Sequence, residues 1–390
     1  MPFFGTDDGG CFLTDRLMQV SIQEVRSRRS LRRFITFPEK LYRGCPWWVP
    51  PLISDELATL GPKNPALEFC ERACYLALRD GEVVGRVAAI INHKANQLWH
   101  EQVVRFGWID FIDDAGVVRA LVDAVVAWGK ARGCTRIKGP LGFSDMDKEG
   151  LLVEGFDQLA PFTVIYNYPY YGPRLEELGF VKDADWTQKI VDIPDVVPQV
   201  QYAALVEKRF GLRAVSGMSM KAMGRRYGKE LFHLINTAFA ELYEYTPMSD
   251  RQIDGYLKSY LSILNPDFVS IIVDADDHVA GFAITVPSLS RAFRKARGRL
   301  FPFGFIPILR ALRKTDTIEA LLIGVLPQYQ GKGASIMIFK DLLESCHRYG
   351  VTRMLANPQL ETNKKVQSVF SDIFETHEFM RRRSYAREIG

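Results

Sequence analysis

TIEALLIGVLPQYQGKGASIMIFKDLLESCHRYG, residues 317–350, is the stretch on which the fold turns. An apolar run, Thr317–Val325, reads as a buried strand ending just before Pro327. Gln330-Gly331-Lys332-Gly333-Ala334-Ser335 follows, and a helix over Ala334–Tyr349 starts at once, closed by Gly350. Glycines at such a turn let the backbone bend tightly and approach a ligand closely. The first amides of the helix have no intrahelical partner, and the helix dipole favours negative charge beside them. A pyrophosphate fits this site, and Lys332 adds a mobile cation. Two other phosphate loops are excluded: GxxxxGK[ST] is absent, and so is a full GxGxxG with an acid at the end of the next strand.

Working outward, the surroundings repeat. Before the stretch come a strand at Leu212–Ser216, helices at Gly228–Ala240 and Asp250–Leu264, and a hairpin of Phe268–Asp274 and Val279–Val286. After it come a strand at Thr352–Leu355 and a helix at Asn363–Phe374. The first half gives the same order. A strand at Gln19–Val25 and a helix in SLRRFITFPEKLYRG lead to a hairpin of Cys74–Leu78 and Val83–Ile91 around Asp80-Gly81. A strand at Val104–Ile112, an amphipathic helix at Val117–Lys130 and a strand at Thr135–Lys138 complete it. DIPDVVPQVQ, residues 192–201, has two prolines and no helical period, so the boundary is placed there. The expected organisation is a flexible tail over 1–18, one domain over 19–196 and a second over 197–390. A chain of 390 residues is long enough for two cores.

The composition is that of a soluble globular protein, with 47% hydrophobic and 25% charged residues. A net charge of +4 is small for this length and argues against a dedicated nucleic-acid binder. No segment has the length of a membrane-spanning helix, and MPFFGTDDGG does not read as a secretory signal, so the expected location is the cytoplasm. Cys70 and Cys74 would share one face of a helical turn. No histidine follows at zinc-finger spacing, so no metal site is read, and reduced buried thiols are expected.

Val-Leu-Pro-Gln-Tyr-Gln-Gly-Lys-Gly-Ala-Ser, residues 325–335, resembles motif A of the GNAT (GCN5-related) acyltransferases, Val-x-Pro then Gln/Arg-x-x-Gly-x-Gly/Ala. The resemblance implies an α/β (α+β) fold of two tandem GNAT-like domains, each a mixed, mainly antiparallel sheet flanked by helices. It implies acyl-CoA as a substrate. Ile323, Gly324 and Val325 would face the pantetheine arm, and Gln330, Gly331, Lys332, Gly333, Ala334 and Ser335 would hold the phosphates. Ser335 departs from the usual Gly or Ala but is still small. The family also places an Asn after the next strand, matched by Asn363, and a Tyr seven residues later as general acid. Here that position is Phe370, which cannot donate a proton. Tyr385 is a substitute candidate. Glu319, Glu361 and His377 are candidates for the base that an ammonium acceptor requires. The first half lacks the loop. It offers Asp110, Asp113 and Asp114 where phosphate would sit, and these would repel it. That half is expected to serve as scaffold or acceptor site, through Asn167, Tyr168, Tyr170 and Tyr171 or the polar loop with Asp145, Asp147 and Glu149. Clustered tyrosines are more often packing residues than catalysts.

Residues 288–315, SLSRAFRKARGRLFPFGFIPILRALRKT, form an insertion before motif A with eight basic residues and no acid. Its uncharged centre, LFPFGFIPIL, is too short to span a bilayer but suits an interfacial anchor at the inner face of the membrane. The alternative is a surface loop whose rings pack on the domain. Together with GPLGFS and EGFD in the first half, the insertion resembles the GNAT-type bacterial ceramide synthases. That implies transfer of a long acyl chain to the amine of a long-chain base. Rival readings are an acetyltransferase acting on a soluble amine, a tRNA-dependent aminoacyl transferase, and a non-catalytic acyl-CoA sensor or lipid-surface adaptor.

Overall fold

The computed structural model describes residues 20–260, 264–364, 367, 370 and 373–390. The expected tail at 1–18, and Val366 and Val369 of the expected helix over Asn363–Phe374, lie outside the described residues. In the first half the strands are β1 (Ser21–Glu24), β2 (Cys70–Arg79), β3 (Glu82–Asn92), β4 (Val103–Phe111), β5 (Arg136–Gly139), β6 (Leu151–Glu154) and β7 (Val181–Asp192). In the second they are β8 (Arg213–Ala214), β9 (Val269–Val273), β10 (Val279–Pro287), β11 (Thr317–Val325), β12 (Arg353–Leu355), β13 (Gln359–Leu360) and β14 (Thr376–Glu388). The fold is the expected mixed, mainly antiparallel α/β arrangement.

Local chemistry explains the elements. Asp80 and Gly81, both at positive φ, turn the β2–β3 hairpin in the way that matches strand twist. Asp114 caps the helix Ala115–Lys130, which buries Val117, Val118, Leu121, Val122 and Val125 against β3 and β4. The helix Ala334–Tyr349 buries Met337, Ile338, Leu342 and Cys346 against the second half's sheet, and Gly350 ends it in the left-handed conformation. Cys70 and Cys74 differ from the helical expectation. They lie on β2, buried on one face, because positions four apart also share a face of a strand. Cys45, Cys70, Cys74, Cys134 and Cys346 are free thiols.

Among the described residues all the strands join one sheet, in the order β1-β2-β3-β4-β5-β14-β7-β12-β11-β10-β9-β8, with β6 and β13 attached to β14 and β7. At its centre the halves exchange strands. The C-terminal β14 lies between β5 and β7, with Tyr385 opposite Gly139, while β7 pairs with β12 of the second half. The boundary region at 192–201 follows β7 and leads into the helix Ala203–Phe210.

Both halves contain a parallel pair that opens like a V. β4 and β5 pair only over Val103–Arg105 and Arg136–Lys138, and β11 and β12 only over Thr317–Glu319 and Arg353–Leu355. Beyond those residues the strands diverge, and these two openings distinguish the halves.

Candidate active site

In the first half the opening is closed by the chain itself. Leu141 N–H donates to the Phe106 carbonyl at 2.9 Å, and Leu141 packs so near Gly107 that a Cβ there would stand 2.4 Å from its oxygen. The helix after β4 is also occupied. Asp114 Oδ1 accepts from the Gly116 and Val117 amides at 2.9 and 3.1 Å, placing a carboxylate where a phosphate would bind. Its other oxygen accepts from Arg79 at 2.7 Å. Asp110 is buried, with Arg86, Tyr42 and Tyr171 around it, and Asp113 pairs with Arg174. Asp114→Ala should therefore lower stability by about 1 kcal/mol in a thermal melt while leaving coenzyme binding unchanged.

In the second half the helix end is uncapped, and the diverging strands are bridged by a side chain and not by backbone. The linker from β11 to its helix is Leu326–Gly333, against Ile112–Asp114 in the first half. Gly331 and Gly333 take φ values of 74° and 84°. No side chain caps the helix, and among the described residues the Gly331, Gly333, Ala334 and Ser335 amides donate to no other backbone group. Gln330, Gly331 and Lys332 are exposed. Gln330 Nε2 reaches back to the Val325 carbonyl at 3.2 Å, and Lys332 lies over the Tyr329 ring, whose hydroxyl donates to Asp274. The result is a set of free N–H groups at a positive helix end, suited to an anion. A Cβ on Gly331 would point into open space, whereas one on Gly333 would meet Val206 at 2.5 Å.

The divergence of β11 from β12 is bridged by a side chain: Asn357 Nδ2 donates to the Leu321 carbonyl at 2.6 Å. Leu321 is skipped in the register between β10 and β11, a bulge that bends β11 at this point. Ile323 and Val325 are half-buried along it. Gly324 is buried, and its Cβ would meet Phe282 and Leu234 at 2.8 and 3.0 Å.

At the base of the V sits Glu319, 2% exposed. Its Oε1 accepts from Ser288 Oγ at 2.7 Å and Ser290 Oγ at 3.3 Å, and its Oε2 from Thr163 Oγ1 at 3.4 Å. Burial raises its pKa to about 7, and the hydrogen bonds only partly oppose that. A narrow crevice beside it, too tight in this structure to hold a water molecule, is lined by Pro161, Thr163, Gln188, Ala320, Leu355 and Asn357. Arg382 Nε fixes Gln188 at 2.8 Å. Lys148, its pKa lowered by loss of water, stands close enough to interact with the Glu319 charge.

The other sequence candidates are placed elsewhere. Glu361 is a surface carboxylate bound to Lys182 at 2.5 Å and to Arg381 at 3.5 Å. His377 is exposed at the start of β14. Asn363 N–H donates to the Leu360 carbonyl just after β13. Phe370 packs in the core against Phe339. Tyr385 lies in the first half's core, 1% exposed, with its hydroxyl on Glu176 at 3.1 Å, and the structure does not bring it to Glu319. Asn167 bonds both the N–H and the carbonyl of Leu152, and the Tyr168, Tyr170 and Tyr171 rings pack tilted or edge-on against Tyr42 and Phe111, so this group packs and braces the first half. The loop with Asp145, Asp147 and Glu149 lies where the halves meet, Met146 touching the second half's core. Loss of water raises Asp145 to about 7 and Asp147 to about 6, and pushes Glu149 up as well.

Ser288, Ser290, Thr163 and Gln188 were not legible as site residues. They lie 29 to 156 residues from Glu319 or on another strand, and a serine in PSLS carries no signal of a distant carboxylate.

Across most of its length the chain superposes on a tandem GNAT protein from the clavulanic acid biosynthesis pathway, covering 95% of this chain and 99% of that one, with a TM-score of 0.55 at 11% identity. The chain has the tandem GNAT fold. No protein-family profile matches it. It is 28% identical to the bacterial ceramide synthase of Caulobacter vibrioides over 371 residues, 92% of this chain and 95% of that protein. It is 27% identical to Protein YghO of Escherichia coli over 380 residues, 94% and 95% of the two chains.

Proposed function

We propose that this tandem GNAT protein is an acyl-CoA-dependent N-acyltransferase that transfers a long acyl chain to the amine of a sphingoid-type long-chain base. The observation that carries the proposal is the buried, near-neutral Glu319 carboxylate at the base of the opening between β11 and β12, on the same strand that leads to the uncapped helix. The amides of Gly331, Gly333, Ala334 and Ser335, with the Lys332 side chain, receive the pyrophosphate. Ile323–Val325 run along the pantetheine arm, and their backbone amides polarise the thioester carbonyl. Glu319 accepts one proton from the acceptor's ammonium, giving a nitrogen with a lone pair. That nitrogen bonds to the carbonyl carbon, the C–S bond breaks, and its electron pair leaves on the thiolate. The second proton lost from nitrogen neutralises the thiolate, so no dedicated acid is needed at Phe370. No covalent enzyme intermediate forms.

Two features support a lipid-like acceptor: the full-length relative from Caulobacter is named a ceramide synthase, and the basic, aromatic insertion supplies the serines that hold Glu319. The test is incubation with palmitoyl-CoA and a long-chain base, reading free thiol. Measurable CoA binding with no turnover on any amine would sink the enzyme reading.

The loop is tested at Gly331, because substitution at Gly333 would also collide with Val206. Asp and Asn both tolerate positive φ better than other residues. Gly331→Asp should weaken CoA binding at least about tenfold by placing a carboxylate in the anion site. Gly331→Asn, which shares the backbone demand without the charge, should weaken it less. Equal affinity of wild type and Gly331→Asp in calorimetric titration would refute the assignment.

A further inference from the structure

The insertion over 288–315 is built as two parts with different surroundings. Its base is fixed to the first half. The Ile53 amide donates to the Gly298 carbonyl at 2.9 Å, Arg299 pairs with Glu39 at 2.9 Å, and Leu289, Phe293, Ile308 and Leu312 share an apolar cluster with Tyr42, Val49 and Val164. Its tip is bare. Phe301 is 79% exposed, Phe303 72%, Leu309 48% and Phe305 38%. The helix Phe305–Arg313 buries no residue fully, and Phe305, Leu309 and Arg313, spaced by four, fall on its outward stripe. Of the insertion's cations, Arg294, Lys295, Arg297, Arg310, Arg313 and Lys314 are exposed and form no salt bridge among the described residues, and the last three lie on or just after the exposed helix.

Exposed rings on an anchored base, with unpaired cations in the same insertion, are poorly matched to water. They are well matched to a surface that takes rings into a hydrocarbon boundary and offers negative charge just outside it. We propose that residues 299–314 dock the chain on the surface of an anionic phospholipid bilayer, with Phe301, Phe303, Phe305 and Leu309 entering the headgroup boundary and Arg310, Arg313 and Lys314 meeting lipid phosphates. Among the described residues no helix is long and apolar enough to cross a membrane, so this contact is peripheral. The same insertion that carries the tip carries Ser288 and Ser290 at the Glu319 carboxylate. Docking therefore holds the crevice at a fixed relation to the lipid surface. Docking is a property separate from acyl transfer and is measured without turnover.

The experiment is cosedimentation of the full chain with vesicles of phosphatidylcholine alone and of an equimolar mixture with phosphatidylglycerol. The wild type should bind the mixed vesicles at least about tenfold more tightly, with an affinity that falls as salt rises. Phe301→Ser combined with Phe303→Ser should weaken that binding at least about tenfold, since both rings are exposed and leave the melting temperature unchanged. A variant with Arg310, Arg313 and Lys314 each replaced by Gln should lose the preference for anionic vesicles while still binding CoA. Equal binding to both vesicle types, or wild-type binding by the ring variant, would overturn the proposal. So would a self-associated wild type that the ring substitutions convert to monomer, since the tip would then be a protein interface.

Discussion

Glu319→Gln should lower kcat by about two to four orders of magnitude while leaving the affinity for CoA unchanged. The side chain stands at the base of the opening, not in the loop Gln330–Ser335 proposed to hold the phosphates, so on that proposal coenzyme binding does not depend on it. Gln keeps the size of the carboxylate: Ser288 and Ser290 can still donate to its carbonyl oxygen, and its NH2 can donate to the Thr163 hydroxyl. What the amide cannot do is accept a proton from an ammonium. The wild-type rate should rise with pH and level off above about 7, where burial has placed the carboxylate. The variant should lack that limb, and thiol release followed across pH reads both effects. A variant with the full wild-type pH profile would remove Glu319 from the chemistry. The same residue links pH to stability. Its folded pKa lies above its unfolded value, so between about 4.5 and 7 the folded state holds more protons than the unfolded one. Its contribution is fully present below 4.5 and is lost as pH rises through 7, and Glu319→Gln should remove that slope from denaturant titrations.

The sequence disclosed what local chemistry determines. The helix Ala334–Tyr349 has the expected limits because Gly333 and Gly350 punctuate it, and β11 matches because Thr317–Val325 is an apolar run ending before Pro327. The aspartates at the end of β4 were legible as hostile to phosphate. Asp114 does more than repel: it caps the helix in the anion's place. The strand exchange was not legible. RRRSYARE reads equally well as an edge strand of its own half, and only packing puts Tyr385 beside Gly139. That placement is why a tyrosine that looked like a substitute acid on the chain lies against Glu176 in the first half's core. The environment of Glu319 was hidden for the same reason. A carboxylate in an apolar run suggests a functional group, but its hydroxyl partners come from the insertion and from the other half.

Register shows a correspondence that sequence identity hides. Arg105 occupies in the β4–β5 pair the place that Glu319 occupies in the β11–β12 pair. Both are buried, and each takes partners from the opposite half. For Arg105 the partner is Glu244, whose Oε2 accepts from its Nη2 at 2.6 Å and whose Oε1 accepts from Lys138 at 2.9 Å. The three side chains are 2%, 6% and 6% exposed. Burial alone would raise the Glu244 pKa, but the charges of Arg105 and Lys138 outweigh it and hold the group below the usual carboxylate range. Glu244 also adopts a φ of 58°, a conformation that costs a non-glycine residue energy and persists only where its surroundings impose it. Glu244→Gln should therefore destabilise the chain by about 3–5 kcal/mol at neutral pH, because it leaves the Arg105 guanidinium sealed between the halves without its paired carboxylate, while Lys138 keeps Glu101 at 2.6 Å. The loss should show in denaturant melts, with CoA affinity unchanged in the protein that remains folded. Arg105→Met combined with Glu244→Leu should be less destabilised than either single change, since burying two apolar groups is easier than burying one unpaired charge. Because the Glu244 pKa is depressed, its contribution is present above the unfolded carboxylate value and falls away as pH drops through the folded one. A Glu244→Gln protein within about 0.5 kcal/mol of wild type would mean that the junction is held by its apolar contacts, Met146 against the second half's core among them, and not by this triad.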